Sequence, residues 1–241
     1  MIDKVLRFGK EVAMERSRLP KHIALVIGGN ELYAASHNIG LDQAYQKSFE
    51  HFKAIHEMTL GLNIPLFSAM LLSERMRDSP NLPTFVEKLI PFLDQLADSP
   101  LIHKHQVKVS VFGKWYKLPD QLVESVKNLI EKTRDYDRFF LNLCLNYDGQ
   151  EEIVDACKLV GKQISMGRLD PDLITRQVIK ENLYTSSFLP VSLLIITGPQ
   201  RSFQGLLLWD SKDAMMYYAR KRWLEFTRND FLEALGYHQS I

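Results

Sequence analysis

An α/β fold with a mostly parallel central sheet flanked by helices is what this sequence predicts. Short apolar runs of strand length recur along the chain, and longer segments with helical spacing separate them. No composition break, low-complexity stretch or internal repeat divides the 241 residues, so one domain over residues 1–241 is expected.

The strands are read first. Runs at residues 22–27, 66–72, 107–111, 139–145 and 191–197 are nearly continuous in apolar character, as strands buried on both faces are. Helical patterns fill the intervals. Glu31-Leu32-Tyr33-Ala34-Ala35 can open a helix after the first run. In residues 41–60, Ala44, Phe49, Phe52, Ile55 and Leu60 recur at roughly three- to four-residue spacing. The turn signal Ser79-Pro80-Asn81-Leu82-Pro83 precedes Phe85, Leu89, Ile90, Phe92 and Leu93, which repeat the pattern. Leu122, Val123, Val126, Leu129 and Ile130 follow, with Asp120 placed to cap their helix. Asp148-Gly149 then introduces Ile153, Val154, Ala156 and Leu159, and residues 166–186 read as a helix between loops. Met215-Met216-Tyr217-Tyr218-Ala219 reads as core or interface packing.

Composition narrows the function classes. Hydrophobic residues make up 46% and charged residues 24%, an ordinary soluble balance. A net charge of +1 provides no global field toward nucleic acid or anionic lipid. Cys144 and Cys157 are too few for a disulfide framework or a zinc site; they read as buried thiols in a reducing compartment. The N-terminus shows no long apolar run, and the most apolar stretch, residues 188–197, is far short of the ~20 residues of a spanning helix. A cytoplasmic protein without a transmembrane segment is expected, touching a membrane only through a partner if at all.

Ligands of such sheets sit beyond the carboxyl ends of the strands. That directs attention to Gly28-Gly29-Asn30, Ser73-Glu74-Arg75, Asn146-Tyr147-Asp148-Gly149 and Gly198-Pro199-Gln200-Arg201-Ser202. The first has features of a phosphate cradle, two glycines before a helix N-terminus. Glu31 opposes that reading, and a strand-to-helix turn of plain geometry is favoured on spacing alone. Bland readings win elsewhere. His51 and His56 are five apart and share a helical face poorly, so no metal role is expected. His103 and His105 read as solvated surface, and Arg220-Lys221-Arg222 as a solvated basic face without nucleic acid. Glu151 and Glu152 suit a helix N-terminus, with a partner chain as an alternative for Glu152. Ser73 and Ser202 lack the Gly-x-Ser-x-Gly elbow of a hydrolase.

Three segments carry a resemblance. Leu19-Pro20-Lys21-His22 with the apolar run to Gly28-Gly29-Asn30, the segment Leu141 to Val154, and Arg222-Trp223 to Leu235 resemble the three signatures of the cis-prenyltransferases, the undecaprenyl diphosphate synthase family. The resemblance spans about residues 19–235. It implies a parallel sheet flanked by helices, a hydrophobic tunnel, frequent pairing as dimers, and condensation of isopentenyl diphosphate onto an allylic diphosphate assisted by Mg²⁺.

Several positions depart from the family pattern. Gly28 stands where the resemblance implies an Asp, and Glu31 and Leu32 where it implies two arginines. Ala44-Tyr45-Gln46 replaces Gly-His-Arg, Leu72-Ser73-Glu74-Arg75-Met76-Arg77 keeps only the serine of its counterpart, and Met215 replaces a metal-ligating Glu. An allylic diphosphate ionises only where departing charge is neutralised. The reading at this level is therefore a catalytically deficient homologue, a pseudoenzyme acting as partner or regulatory subunit of a polyprenyl diphosphate synthase. It would pair as a homodimer or as a heteromer with an active cis-prenyltransferase, with an isoprenoid as a further ligand. The degenerate site is Gly28, Gly29, Asn30, Glu31 and Leu32; Ser73, Arg75, Arg201 and Ser202 are candidate ligand-binding residues. No metal ligand is assigned and no cofactor is expected. Two alternatives stay open. One is an active prenyltransferase or isoprenoid-converting enzyme with altered site chemistry, for which Mg²⁺ would be the cofactor; the other is an isoprenoid-binding protein without turnover.

Overall fold

The structure, a computed structural model, describes residues 2–7 and 10–240, with side chains described for residues 17–240. Residues 1, 8, 9 and 241 of the expected domain lie outside the described residues.

Six parallel strands form the central sheet: β3 (His22–Val26), β4 (Leu66–Ser73), β5 (Val107–Phe112), β6 (Phe139–Tyr147), β7 (Leu193–Ile196) and β8 (Met215–Tyr218). Their order is β5-β6-β4-β3-β7-β8. The expected α/β architecture is therefore present. Five strands fall on the five apolar runs. The sixth, β8, corrects the reading of residues 215–219 as mere packing. As an edge strand it is only half buried, so its residues lack a continuous apolar signature. A separate antiparallel pair, β1 (Ile2–Arg7) and β2 (Lys10–Glu15), precedes the sheet.

Strand alternation sorts residues onto two faces. Ile23, Leu25, Phe67, Ala69, Leu141 and Leu143 point into the larger core. Over it lie α2 (Leu41–Gly61), α3 (Leu82–Ala97), α5 (Asp120–Thr133) and α8 (Arg228–Gln239). Ala24, Val26, Met70, Cys144, Leu194 and Ile196 face a smaller cluster on the other side. Near that side are α6 (Gly149–Ser165) and α7 (Arg176–Glu181). Two short helices, α1 (Asn30–His37) and α4 (Pro100–His105), complete the set used here.

Helix starts show which local signals were right. Asp148 caps α6, its Oδ1 accepting from the amides of Gln150 at 2.7 Å and Glu151 at 3.2 Å. Pro83 sits in the first turn of α3, where its missing N–H is harmless. Asp120 is not the cap of α5. Pro119 holds that position, and Asp120, inside the first turn, acts on the helix dipole only as a charge. The expected helix within 166–186 is α7, capped by Thr175 Oγ1 on Val178 N–H. The cysteine expectation holds for Cys144 alone; Cys157 is exposed, because it points outward from α6.

Candidate active site

The carboxyl end of β3 lies where the chain order reverses: β4 pairs on one side and β7 on the other. Gly28 follows β3 directly. Its N–H donates to Thr197 Oγ1 at 3.2 Å, and its carbonyl accepts from Trp223 N–H at 3.0 Å. A Cβ at position 28 would lie 2.5 Å from the Thr197 carbonyl oxygen, so no side chain fits without backbone movement. Gly29 then turns the chain into α1 at φ +87°, a conformation glycine adopts without strain.

Asn30 and Glu31 open α1. Asn30 Nδ2 donates to Ser48 Oγ at 3.2 Å, which aims Oδ1 elsewhere; that oxygen is buried and has no partner. Such an orphan is uncommon in a folded interior, and an ordered water or ion is a usual partner for one. Glu31 Oε1 accepts from Asn81 Nδ2 at 2.8 Å and from Tyr45 hydroxyl at 3.5 Å. Burial first, and the Glu31 carboxylate second, push the Tyr45 phenol above its ordinary range, so it remains a donor.

Arg222 locks this corner. It pairs with Glu225, and its Nη1 donates to the Leu32 carbonyl at 3.0 Å and to Ser36 Oγ at 2.6 Å. Lys221 pairs with Asp230 at 2.9 Å. Two of the three basic residues at 220–222 are thus committed to carboxylates of their own chain, which corrects the picture of a purely solvated face.

These groups surround a cavity of about 570 Å³. Its mouth is polar, lined by Asn30, Glu31, Ser73, Arg75 and Ser79 and, from the chain after β7, by Thr197, Gln200 and Gln204. Its inner end is apolar, walled by Tyr45, Phe49, Leu71, Met76 and Phe85. All five residues from Gly28 to Leu32 line it, as do Ser73 and Arg75. Arg201 and Ser202 stand outside the lining; they are exposed, and Ser202 Oγ accepts from Gln204 N–H within its own loop. Sequence reasoning marked Gln200 only as part of a strand-end junction and Tyr45 only as a departure from a family motif, and it left Asn81 and Gln204 out of the site. Nothing local marks the Glu31–Asn81 contact, because it joins residues 50 positions apart.

The other candidates sit away from the cavity mouth or act structurally. His51 packs its ring against Trp223 at 4.4 Å. His56 is buried beside Phe52 and Phe67, and burial drives its pKa down to about 3. His103 is not plain solvated surface, since its Nδ1 lies 2.9 Å from Tyr136 hydroxyl. Glu152 is buried and receives a hydrogen bond from Tyr147 hydroxyl, so it is a core group of this chain and not a reaching one. Among the described residues, no group of three or more His, Cys, Asp or Glu side chains is placed to hold a metal ion. No described helix is long and apolar enough to cross a membrane.

Known proteins share this architecture. A chain crystallised as lavandulyl diphosphate synthase from Lavandula x intermedia with dimethylallyl diphosphate superposes at a TM-score of 0.86. The two are 22% identical, over 93% of this chain and 97% of that one. A probable undecaprenyl diphosphate synthase from Campylobacter jejuni gives 0.74 at 21% identity, over 92% and 96% of the chains. Among curated relatives, the tritrans,polycis-undecaprenyl-diphosphate synthase (geranylgeranyl-diphosphate specific) of Methanocaldococcus jannaschii is 28% identical over 235 residues. That alignment covers 95% of this chain and 83% of the relative. The isoprenyl transferase of Thermotoga maritima is 28% identical over 220 residues, covering 90% and 93%.

These relatives overturn the expectation of a catalytically deficient partner or regulatory subunit. They match at least 91% of this chain and 83% of their own length and are named as synthases, and nothing in them indicates deficiency. The physical fault in that expectation was to count lost side chains one position at a time, without the polar groups that the fold gathers from other elements. The family model described as "Putative undecaprenyl diphosphate synthase" matches residues 26–241, and the chain belongs to that family, the cis-prenyltransferases.

Proposed function

We propose that this chain is an isoprenoid-converting enzyme of the cis-prenyltransferase type, acting on an allylic diphosphate through altered site chemistry. One observation carries the reading: a single cavity joins a polar mouth at the strand ends to an apolar inner chamber. An amphiphile with an anionic head and a prenyl tail matches both halves.

The head needs positive charge. Arg75 lines the mouth, and no ion pair or hydrogen bond commits it among the described residues. Mg²⁺ fits the remaining donors. Asn30 Oδ1 is a buried oxygen without a hydrogen-bond partner, and Glu31 brings a carboxylate to the same cavity. Mg²⁺ takes one or two protein carboxylates and completes its shell with water and substrate phosphate. Asn30 and Glu31 would hold it, and when bound it would neutralise charge on the departing diphosphate. Gly28 has no oxygen to offer from a side chain, so the metal-holding duty shifts to its neighbours. Tyr45, kept protonated, directs a hydroxyl to Glu31 and holds that carboxylate at the mouth.

The reading extends over the chain as one cis-prenyltransferase-like domain and includes pairing with a second copy or a homologue in the cytoplasm, which native mass spectrometry tests. For activity, the purified protein is incubated with allylic and isopentenyl diphosphates and Mg²⁺, and prenyl products are identified by mass spectrometry. Metal-dependent turnover is expected, with Glu31→Gln reducing both turnover and Mn²⁺ binding measured by paramagnetic resonance. Absence of any product above the enzyme-free control, with or without metal, rejects the reading.

A further inference from the structure

Asn30 and Glu31 stand at the start of α1, and little holds that helix from inside. It has 8 residues, of which Ala34 alone is buried. A helix so short does not persist in water by itself. Gly29 at its N-cap brings no side chain to the first amides. The contacts of its first turn belong to the groups proposed to meet the ligand: Asn30 with Ser48, and Glu31 with Asn81 and Tyr45. A carboxylate that turns to a metal ion gives up such bonds.

Arg222 supplies a hold that the ligand does not disturb. It lies outside the lining of the cavity. Its stem crosses Gly29 closely, since a Cβ at position 29 would come within 2.7 Å of Arg222 Cγ. Its guanidinium carbon sits 5.7 Å from the centre of the Tyr33 ring. Nη1 spans one turn of α1, donating to the Leu32 carbonyl and to Ser36 Oγ. Nε, at 2.9 Å, and Nη2 donate to the two carboxylate oxygens of Glu225. This two-point pairing fixes the plane of the guanidinium. The backbone on either side ties the residue to the strand ends. Trp223 N–H donates to the Gly28 carbonyl at 3.0 Å, and the Lys221 carbonyl accepts from Gly198 N–H at 2.9 Å. Arg222 is thus anchored on the ends of β3 and β7 that make the mouth, and reaches from there to α1.

We infer that Arg222 is a positioning residue: by fixing α1 on the strand ends it sets where Asn30 and Glu31 present their oxygens, and so sets the affinity of the mouth for a divalent cation. The inference deepens the proposed function and rests on it.

The test compares full-length wild type with Arg222→Ala, Arg222→Lys and Ser36→Ala, each checked for fold by circular dichroism. Mn²⁺ binding is read by paramagnetic resonance, α1 by amide hydrogen exchange, and turnover across a Mg²⁺ series. Arg222→Ala is expected to weaken Mn²⁺ binding about tenfold, the scale of a lost charge-assisted hydrogen bond. The Mg²⁺ concentration for half-maximal turnover rises by a similar factor, and the α1 amides exchange faster. At saturating Mg²⁺, kcat is expected to return to within about threefold of wild type. Arg222→Lys and Ser36→Ala keep part of the clamp and shift Mn²⁺ binding the same way by less. A merely structural role would lower the folded fraction and leave the affinity of the folded molecules unchanged. Folded Arg222→Ala with wild-type Mn²⁺ affinity therefore overturns the inference and leaves the proposed function standing. A kcat that saturating Mg²⁺ does not bring back also overturns it, since Arg222 would then act on the substrate itself. If Arg222→Ala does not fold, the two milder variants decide by the same criterion. Wild-type protein that neither binds Mn²⁺ nor turns over rejects the inference and the proposed function together.

Discussion

The two faces of the sheet are both buried, yet they are held together differently. On the larger face, α2, α3, α5 and α8 meet the strands through aliphatic and aromatic side chains, and the cavity opens within that layer. On the smaller face, polar groups run through the apolar cluster. His22 Nε2 lies 2.7 Å from Ser68 Oγ, which also accepts from Asn142 Nδ2 at 3.1 Å, so three adjacent strands are stitched side chain to side chain. Lys180 donates to both carboxylate oxygens of Asp210, at 2.7 and 2.8 Å, and to Thr185. Tyr147 donates to Glu152 nearby. The larger face can accommodate a ligand because its cohesion is non-directional. The smaller face tolerates little displacement, because each buried polar group depends on directed hydrogen bonds to particular partners.

Single substitutions should separate these two modes. The largest effects are expected where packing or a buried charge is broken. Phe52→Ala empties a fully buried ring site on the larger face and should lower unfolding free energy by about 3–5 kcal/mol in urea titrations. Lys180→Met strands the buried Asp210 carboxylate on the smaller face and should cost a similar ~3–5 kcal/mol. The faces then differ in rescue. Adding Asp210→Leu to Lys180→Met should restore most of the loss, since a buried ion pair replaced by apolar groups is often neutral. Failure of that rescue would mean that Asp210 has a role beyond the pair.

A pH titration follows in size and touches both faces. Burial lowers the pKa of His22 on the smaller face to about 4, and of His56 on the larger face to about 3. Both stay neutral in the fold while the unfolded chain binds their protons below about pH 6.5. Stability from them is complete above that value. It falls as pH drops, through about pH 4 for His22 and about pH 3 for His56, by up to about 1.4 kcal/mol per pH unit for each. Glu152, whose carboxyl burial pushes up, works in the opposite direction and offsets part of the fall. His22→Gln should flatten the profile, and urea midpoints from pH 7 to pH 4.5 measure it. The smallest expected effect is at the start of α6: Asp148→Ala removes a cap to two amides and should lower the thermal midpoint by the equivalent of ~1 kcal/mol.

Much of this was legible in the residue order. The runs that became β3 to β7 announced themselves because strands covered on both faces must be apolar throughout. Gly28-Gly29-Asn30 and Ser73 to Arg75 were marked as the place to look, because strand ends in such sheets converge on ligands. Arg201 and Ser202 misled because their loop folds back on itself, with Gly198 and Gln204 at positive φ, and presents Gln200 and Gln204 to the cavity instead. Met215 to Tyr218 escaped notice as a strand because an edge position leaves its side chains half exposed.

By itself, the order of residues determined the layered fold, the strand ends that make the mouth, and the substitution of Gly28 for an acid. Those depend on periodicity and on backbone requirements that each segment carries locally. Only the tertiary structure decided that Asn81 and Tyr45 hold Glu31, that Asp210 answers Lys180, and that Arg222 reaches Ser36 of α1. Such contacts join side chains distant in the sequence. They exist because close packing of helices on a twisted sheet fixes which surfaces meet, a property no single segment contains.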